Sequence, residues 1–428
     1  MRAIAATWLI TGDSAQPPIA NGAIVVNDLG FVFGVGPGAE LRNSFPTAQW
    51  EHHDAVLLPG LVNAHTHLEL SALRGEVAGG DGFARWVERL VDARKRVAPE
   101  HDGEAIDLAI SDLLAAGTAA IGEVTNSLAA VDALGGAPLL GRVFHEVFAM
   151  RKDSGEVTLR VAEQQRIALD PWPDNLLYAP APHTCFTLHP DILRELVRRA
   201  RVLGQLTSLH LCEHGAERSF LRDGGGPFAK FLSSSNSSPP DWEPPGVDPV
   251  RYAQSLGVLG PDVLCVHLCD ARPDEVELVA QAGAKVVLCP RSNLHIELKL
   301  PPLRALLEAG LRPALGTDSL ASSPSLDVLG EARALAERFP SIPARTLLAM
   351  ATSFGAEALG FGDQLGTLAI GKRPGVIAFA HDGGIPSDPE RFLLSKHAQR
   401  RTVLVRPGST FGEGVGKRTI SPSPPEVP

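Results

Sequence analysis

Short apolar runs alternate with amphipathic stretches through the middle of the chain. In FARWVERLVDARKRV, HPDILRELVRRARVLG and PLRALLEAGL, apolar residues recur at spacings of three and four, which predicts helices. The apolar runs predict eight strands, at residues 55–65, 118–124, 141–148, 175–181, 205–211, 262–268, 284–289 and 312–317. Because this alternation implies parallel strands with crossovers, and eight strands can close a barrel, we expect an α/β fold of the (β/α)8 TIM type. A long, open, doubly wound sheet is the alternative.

The two ends of the chain have a different pattern. Residues 1–56 contain short strand-like pieces separated by glycine and proline turns, and residues 366–419 repeat this style. We therefore expect the two ends to form one small β-sandwich domain together, beside a barrel at residues 57–365. The proline- and serine-rich segment 233–249 is interpreted as an inserted loop, and residues 420–428 as a disordered tail.

Composition and charge limit the kinds of partner that this protein is expected to bind. The 428 residues carry 39 basic and 49 acidic side chains, a formal net charge of −10, so we expect no nucleic-acid partner. The five cysteines are odd in number and none forms a CxxC pair, so we interpret them as reduced thiols of a cytoplasmic protein. No signal peptide is predicted, and no apolar run approaches the ~20 residues that span a membrane. We expect a small-molecule substrate, and the sequence leaves assembly into a homo-oligomer open.

Histidines and one aspartate collect at the predicted carboxyl ends of the strands. His65 and His67 end the first strand, where strand alternation points both side chains the same way. His210 ends the fifth strand, His267 ends the sixth, and Asp318 follows the eighth. In a (β/α)8 barrel these ends meet at the face that carries the active site. Each residue alone has an ordinary interpretation, as a hydrogen-bonded histidine or a helix cap, but together they predict a metal site.

These residue types suit one divalent metal ion per chain. The expected ligands are His65, His67, His210 and Asp318. Nitrogen and oxygen ligands of this kind leave a position for water in catalytic zinc sites, and the metal lowers the pKa of bound water to about 7. Asp318 is then expected to accept a proton from this water and Glu213 to shuttle a proton to the substrate. His267 is expected to hydrogen-bond the hydroxide or the attacked atom.

The segment HLCEH, residues 210–214, also matches the H-x-x-E-H pattern of some metalloproteases. That pattern requires a helix, which would place His210 and His214 four residues apart on one face. The preceding residues LTSLHL predict a strand instead, and a protease site would leave His65 and His67 without a role. We therefore favour a barrel metal site over a protease.

Several motifs together resemble the amidohydrolase superfamily. They are PGLVNAHTHLE, APHTCFTLHPDIL, SLHLCEH, VHLCD, CPRSN, GTDSLASSPSLDVLGEAR and GTLAIGKRPGVIAF. The His-x-x-Glu spacing after strand five, with CPxSN after strand seven, is similar to the branch that contains cytosine deaminase and the adenosylhomocysteine deaminases and chlorohydrolases. This resemblance implies one metal, zinc first and iron as the alternative, and hydrolytic deamination of an aromatic ring. Strand four, NLLYAPAP, has no lysine of the kind that bridges two metals.

The same resemblance implies contacts with the substrate. His183 and Trp86 are expected to line the pocket, where the indole would stack on a heterocycle, although an amphipathic helix equally allows Trp86 a core position. Asn293, from CPRSN, is expected beside the substrate. The stretch NAHTHLELSALRG is most similar to the aminodeoxyfutalosine deaminases of an alternative menaquinone route, which convert the 6-amino group of an adenine nucleoside to a 6-oxo group. Their substrate carries a benzoate, which Arg151 or Arg142 is available to pair.

Three other functions stay open as alternatives. Two are enzymes with the same site: an adenosylhomocysteine or methylthioadenosine deaminase, and a triazine chlorohydrolase. The third is an amidohydrolase-like scaffold protein that has lost its metal. The joint presence of the four expected ligands with Glu213 argues against the scaffold.

Overall fold

Strands occur where the apolar runs predict them. The structure, a computed structural model, describes residues 1–234, 242–381 and 384–408. Its strands are β1 (Arg2–Leu9), β2 (Ile19–Ala20), β3 (Gly22–Val26), β4 (Val32–Pro37), β5 (Gln49–Leu58), β6 (Leu61–Thr66), β7 (Thr118–Thr125), β8 (Leu140–Val147), β9 (Leu176–Pro182), β10 (Thr207–Leu211), β11 (Val263–His267), β12 (Lys285–Leu288), β13 (Ala314–Leu315), β14 (Val376–Ala380) and β15 (Arg401–Val405). The second to eighth predicted strands correspond to β7–β13 in order.

Helices fill most of the connections between these strands. They are α1 (Gly38–Ser44), α2 (Phe83–Arg94), α3 (Pro99–Ala115), α4 (Val131–Gly135), α5 (Lys152–Ala168), α6 (Pro190–Val202), α7 (Gly215–Asp223), α8 (Gly226–Ser234), α9 (Pro249–Ser255), α10 (Pro273–Gln281), α11 (Pro290–Glu297), α12 (Leu303–Glu308), α13 (Val328–Arg338), α14 (Ala344–Met350), α15 (Ser353–Ala358) and α16 (Pro389–Leu393), with a short 3-10 helix at Leu68–Leu73. The three predicted amphipathic helices are α2, α6 and α12. None of the described helices combines the length and apolar character that a bilayer crossing requires.

Two four-stranded parallel sheets form the middle of the chain. Strands β6 to β9 pair in chain order, and so do β10 to β13. Single parallel bridges connect Thr184, which follows β9, to His210 of β10, and Asp318, which follows β13, to Thr66 of β6. The order does not reverse as a doubly wound sheet requires. The architecture is that of a TIM-type barrel with mixed α/β content, and full closure of the barrel stays a prediction.

The first predicted strand, residues 55–65, is two strands rather than one. Strand β5 ends at Leu58 and belongs to the sheet of the chain ends, whereas β6 begins at Leu61 and belongs to the barrel. Pro59 cannot donate a backbone hydrogen bond. At Gly60 an added Cβ would lie 2.5 Å from the Pro374 carbonyl oxygen, so a side chain would not fit. The Pro-Gly pair therefore lets one apolar run pass from one sheet to the next.

Both ends of the chain contribute to one further sheet. Its seven strands have the order β15-β14-β5-β1-β3-β4, with β2 paired to β1. The common sheet agrees with the prediction that the two ends fold together, but a sandwich of two sheets is not confirmed. The domain boundaries stay a prediction. The predicted tail at 420–428 and the part of the predicted loop at 235–241 lie outside the described residues.

The core sits around the parallel strands and under the helices. Every residue of β7 and of β8 is buried, because side chains of a parallel sheet meet the interior on one face and helices on the other. Helix α6 shows the helical side of this packing: its buried residues are Ile192, Leu193, Leu196, Val197 and Ala200. All five cysteines are buried free thiols. This rigid packing determines where the carboxyl ends of the strands lie.

Candidate metal centre and active site

Three histidines meet at the carboxyl ends of β6 and β10. His65, His67 and His210 each place one ring nitrogen within 4.8 Å of the others. The His65 ring centroid lies 4.9 Å from the centroids of both partners. Among the described residues, the buried Nε2 of His65 has no hydrogen-bond partner. Because an unpaired buried polar atom is costly, this nitrogen fits the role of a metal ligand.

Asp318 joins this cluster from the loop after β13. Its Oδ1 lies 3.7 Å from His67 Nε2, while Ser292 and Ser322 donate hydrogen bonds to Oδ2 at 2.5 and 3.1 Å. One carboxylate oxygen is therefore held by hydroxyls and the other faces the histidines. Gly316 allows this approach, because a Cβ there would lie 2.8 Å from the His65 carbonyl oxygen.

The backbone at two of these strand ends is in an unusual conformation. Asp318 has a φ of 57° and His267 a φ of 76°, in the left-handed region that residues other than glycine rarely adopt. Thr66 holds the backbone at Asp318, since its hydroxyl donates a hydrogen bond to the Asp318 carbonyl oxygen at 2.9 Å. Residues held in such conformations cluster at functional sites. This is an independent indication that the strand ends form the active site.

Glu213 and His267 lie side by side next to Asp318. One ligand atom from each of the three residues lies within 4.8 Å of the others, and Glu213 Oε1 is 3.6 Å from His267 Nε2. Burial raises the pKa of Glu213 well above its ordinary value. Burial lowers the pKa of His267 to about 3. Burial therefore favours the uncharged form of both side chains.

Asn293 orients the His267 ring. Its Nδ2 donates a hydrogen bond to His267 Nδ1 at 3.3 Å. A neutral imidazole carries one N–H, so this leaves the proton on Nε2, the nitrogen that faces Glu213. The structure thus brings Asn293 to the site through His267. Its direct contact with a substrate stays a prediction.

The carboxylate of Glu146 lies on the other side of His210. The donor atoms of Glu146, His183 and His210 lie within 4.8 Å of one another. Burial is the largest influence on His210 and opposes its protonation, but the hydrogen bond to Glu146 and the nearby carboxylates of Glu146, Glu213 and Asp318 together outweigh burial and raise the pKa of His210 to about 9. Burial lowers the pKa of His183 to about 3. The structure places His183 beside His210, and its contact with a substrate stays a prediction.

Sequence reasoning missed Glu146, although a signal was present. GRVFHEVF was predicted as the third strand, and Glu146 is an acidic residue next to its carboxyl end. The criterion that selected His65 and His267, a titratable residue at a strand end, selects Glu146 equally well when it is applied to that strand.

The H-x-x-E-H match does not form a protease site. Strand β10 ends at Leu211, and α7 begins only at Gly215, so His210 and His214 do not share a helix. His214 caps α7 by accepting a hydrogen bond from the Glu217 amide at 3.0 Å. The Glu217 carboxylate in turn accepts one from the Glu213 amide at 3.0 Å. This exchange resembles a capping box and fixes the backbone of Glu213.

Arg142 lies at the wrong end of its strand for the role expected of it. It is the third residue of β8, near the amino end, whereas the histidines lie at the carboxyl ends. Its Nε donates to the Leu359 carbonyl oxygen at 3.1 Å, and its guanidinium lies 5.7 Å from the Phe361 ring centroid. The expectation that Arg142 pairs a substrate carboxylate is therefore corrected, because a parallel strand separates its two ends by its full length.

Arg151 and Trp86 have contacts that explain their positions without a substrate. Arg151 is exposed at the start of α5, and its guanidinium pairs with Asp153 at 3.1 and 3.2 Å. Trp86 is only 6% exposed and packs in an apolar cluster that includes Leu73 and Ile296. Of the two positions left open for Trp86, these contacts favour the core. Substrate contacts by Arg151 and Trp86 stay predictions.

A model of the amidohydrolase family matches residues 56–406 of this chain. The chain belongs to the amidohydrolase family. The motifs quoted from the sequence therefore led to the right superfamily. The matched range includes the barrel strands, the four expected ligands, Glu213 and His267.

This amidohydrolase is similar in sequence to proteins from two organisms and in structure to a protein from a third. The aminodeoxyfutalosine deaminase of Deinococcus radiodurans is 32% identical over 368 residues, which cover 82% of this chain and 84% of that protein. The 5-methylthioadenosine/S-adenosylhomocysteine deaminase of Halobacterium salinarum is 30% identical over 374 residues, which cover 83% and 80%. The crystal structure of Helicobacter pylori aminofutalosine deaminase in complex with methylthio-coformycin has a TM-score of 0.82 and 22% identity, covering 94% of this chain and 98% of that one. This last likeness shows the shared fold.

The donor atoms of this amidohydrolase fit one divalent metal ion. They comprise three imidazole nitrogens that converge within 4.8 Å and a carboxylate oxygen that faces them. A mixed nitrogen and oxygen set of this kind suits zinc or iron, whereas calcium and magnesium favour oxygen ligands alone. The unpartnered His65 Nε2 supports the fit.

Proposed function

We propose that this amidohydrolase is a zinc-dependent hydrolytic deaminase of an adenine-type nucleoside, with 6-aminodeoxyfutalosine as its substrate in menaquinone biosynthesis. The observation that carries the proposal is a buried carboxyl group, Glu213, beside His267 and Asp318 at the histidine cluster. Two relatives at 30% identity or more, both named as nucleoside deaminases, support an adenine-type substrate.

The proposed metal ligands are His65, His67, His210 and Asp318. A metal held there would supply Lewis acidity and lower the pKa of a bound water to about 7. The carboxylate of Asp318, whose Oδ2 accepts hydrogen bonds from Ser292 and Ser322, would also accept the proton that such a water gives up. The Nε2–H of His267 would donate a hydrogen bond to the attacking oxygen or to the attacked atom.

Glu213 is proposed to supply protons to the substrate. Attack on a ring carbon places a hydroxyl and an amino group on the same carbon, and a ring nitrogen must gain a proton as this centre forms. The amino group needs a second proton before it leaves as ammonia; this is the proton that Asp318 would accept from the water, and the hydroxyl proton would return to Glu213 as the 6-oxo group forms. Burial raises the pKa of Glu213 well above its ordinary value and so favours its protonated form, and zinc deaminases of another fold also assign this task to a glutamate that does not bind the metal.

The substrate proposal has one close alternative and one distant one. A 5-methylthioadenosine or S-adenosylhomocysteine deaminase would use the same residues, and the relative from Halobacterium salinarum favours it. A triazine chlorohydrolase would release chloride, which leaves without a proton, so Glu213 suits a leaving amine better than it suits chloride. Values of kcat/KM for 6-aminodeoxyfutalosine, the two adenine thioether nucleosides and a chlorotriazine distinguish these functions. We expect 6-aminodeoxyfutalosine to have the highest value.

The variant Glu213→Gln tests the deamination chemistry. It preserves the shape of the side chain and removes its proton, so we expect full metal content and a loss of about 10²–10⁴-fold in kcat, or roughly 3–5 kcal/mol of barrier. Glu390→Gln is the control, because Glu390 is equally buried at 8% exposed but lies in α16 beside Arg345. Release of ammonia and metal content are measured for both. A Glu213→Gln enzyme that works at close to the parent rate contradicts the assigned mechanism.

A further inference from the structure

Glu146 is a buried carboxylate to which the proposed reaction gives no task. It lies next to the carboxyl end of β8 and is 6% exposed. Its Oε1 is 3.2 Å from Nδ1 of His210. The same Nδ1 is 3.1 Å from the backbone carbonyl oxygen of His183. A carbonyl oxygen can only accept, so Nδ1 carries the ring proton and leaves Nε2 with its lone pair for a metal.

The Glu146 carboxylate is itself held in place. Asn126 Nδ2 donates to the Glu146 backbone carbonyl at 3.0 Å and to Oε2 at 3.4 Å. The backbone N–H of Asn126 donates a hydrogen bond to Glu69 Oε1 at 3.0 Å, and Glu69 also accepts hydrogen bonds from Thr125 and Ser127. A chain of contacts thus leads from Glu69, just after the HTH motif, to His210 on the opposite sheet.

We propose that Glu146 is a positioning residue for His210 that increases the affinity of the site for its metal. The proposal rests on the proposed function to the extent that His210 is one of the assigned ligands. Histidine ligands usually donate their second ring N–H to a carboxylate or carbonyl, and this contact orients the ring and raises its basicity. Here the carbonyl of His183 already selects the tautomer, so the contribution of Glu146 is its negative charge.

The separate contributions of the His183 carbonyl and the Glu146 charge determine the choice of test variants. Glu146→Gln keeps an oxygen that can accept from Nδ1 but removes the charge, and Glu146→Asp keeps the charge on a shorter side chain. Zinc affinity of the apo-protein is measured without substrate, by competition with a chromophoric chelator. Glu390→Gln is again the matched control. Unfolding of each apo-protein is measured in parallel, because a merely structural role would lower stability and leave the affinity of the folded protein intact.

We expect Glu146→Gln to bind zinc about 10–100-fold more weakly, with apo-protein stability close to that of the parent. Glu146→Asp should recover part of the affinity, and Glu390→Gln should match the parent. These results do not depend on the nature of the substrate, so they stand even where deamination fails.

Two outcomes would overturn the proposal. Unchanged zinc affinity in Glu146→Gln with a raised KM would mean that Glu146 contacts the substrate instead. A stoichiometry of two zinc ions in the parent, falling to one in Glu146→Gln, would mean that Glu146, His183 and His210 form a second metal site, since their donor atoms also lie within 4.8 Å of one another. A parent protein that binds no zinc would instead refute the proposed function.

Discussion

Replacing Trp86 with alanine distinguishes a core residue from a substrate-stacking residue. In the structure Trp86 of α2 belongs to a buried apolar cluster that also contains Leu73, which follows His67, and Ala321, which follows Asp318. A tryptophan of this burial removes about 200 Å² from water, worth roughly 5 kcal/mol at about 25 cal/mol per Å². That figure is an upper bound, and measured losses for Trp→Ala in cores are about 3–5 kcal/mol.

One feature of Trp86 reduces the expected loss. Its buried Nε1–H has no hydrogen-bond partner among the described residues, and such an unpaired donor costs about 1–3 kcal/mol. Alanine relieves this cost, so we expect Trp86→Ala to lose about 3 kcal/mol of unfolding free energy. Trp86→Phe also removes the N–H but keeps a ring in the cluster, so its stability should lie within about 1 kcal/mol of the parent.

Urea unfolding and steady-state kinetics are measured on both variants. A core role predicts that Trp86→Ala loses stability, while Trp86→Phe keeps both its stability and its kcat/KM. The reasoning is refuted if Trp86→Ala unfolds at the parent urea concentration. The reasoning is also refuted if Trp86→Phe has the stability of the parent but a large loss in kcat/KM, because the indole N–H would then donate a hydrogen bond to the substrate.

The remaining predictions concern the metal and the joint between the two parts of the fold. The purified protein should contain about one zinc or iron per chain. His65→Ala should lose most of this metal, whereas His397→Ala, at an exposed histidine, should keep it. Full activity with two metals per chain would contradict the mononuclear site. Arg401→Met should cost about 2 kcal/mol at pH 7, because Arg401 pairs with Asp327 at 3.0 and 2.5 Å and also donates to a carbonyl oxygen. Burial opposes ionisation, but Arg401 holds the pKa of Asp327 below its ordinary value. This stabilisation is present at neutral pH and lost as pH falls through the folded-state pKa, so acid should destabilise Arg401→Met less than the parent.

Local patterns in the sequence determined the parallel strands, the amphipathic helices and the strand-end histidines. Strand alternation alone places His65 and His67 on one side, and helical spacing alone predicts the buried face of α6. These inferences succeed because each depends on residues within a few positions of one another. The motifs then led to the amidohydrolase family, since strand-end residues in a fixed order are a specific combination.

Only the tertiary structure decided which distant side chains meet and at what depth. Glu146 contacts His210 because β8 and β10 bring their ends together, and Arg142 is excluded because it sits at the other end of the same strand. The apolar run at 55–65 does not indicate that its two halves belong to different sheets. The pattern of the helix that contains Trp86 does not indicate which neighbour covers this side chain. Periodicity specifies the face on which a side chain lies. Its partner depends on the packing of strands and helices that are far apart in the chain, and a local pattern carries no information about that packing.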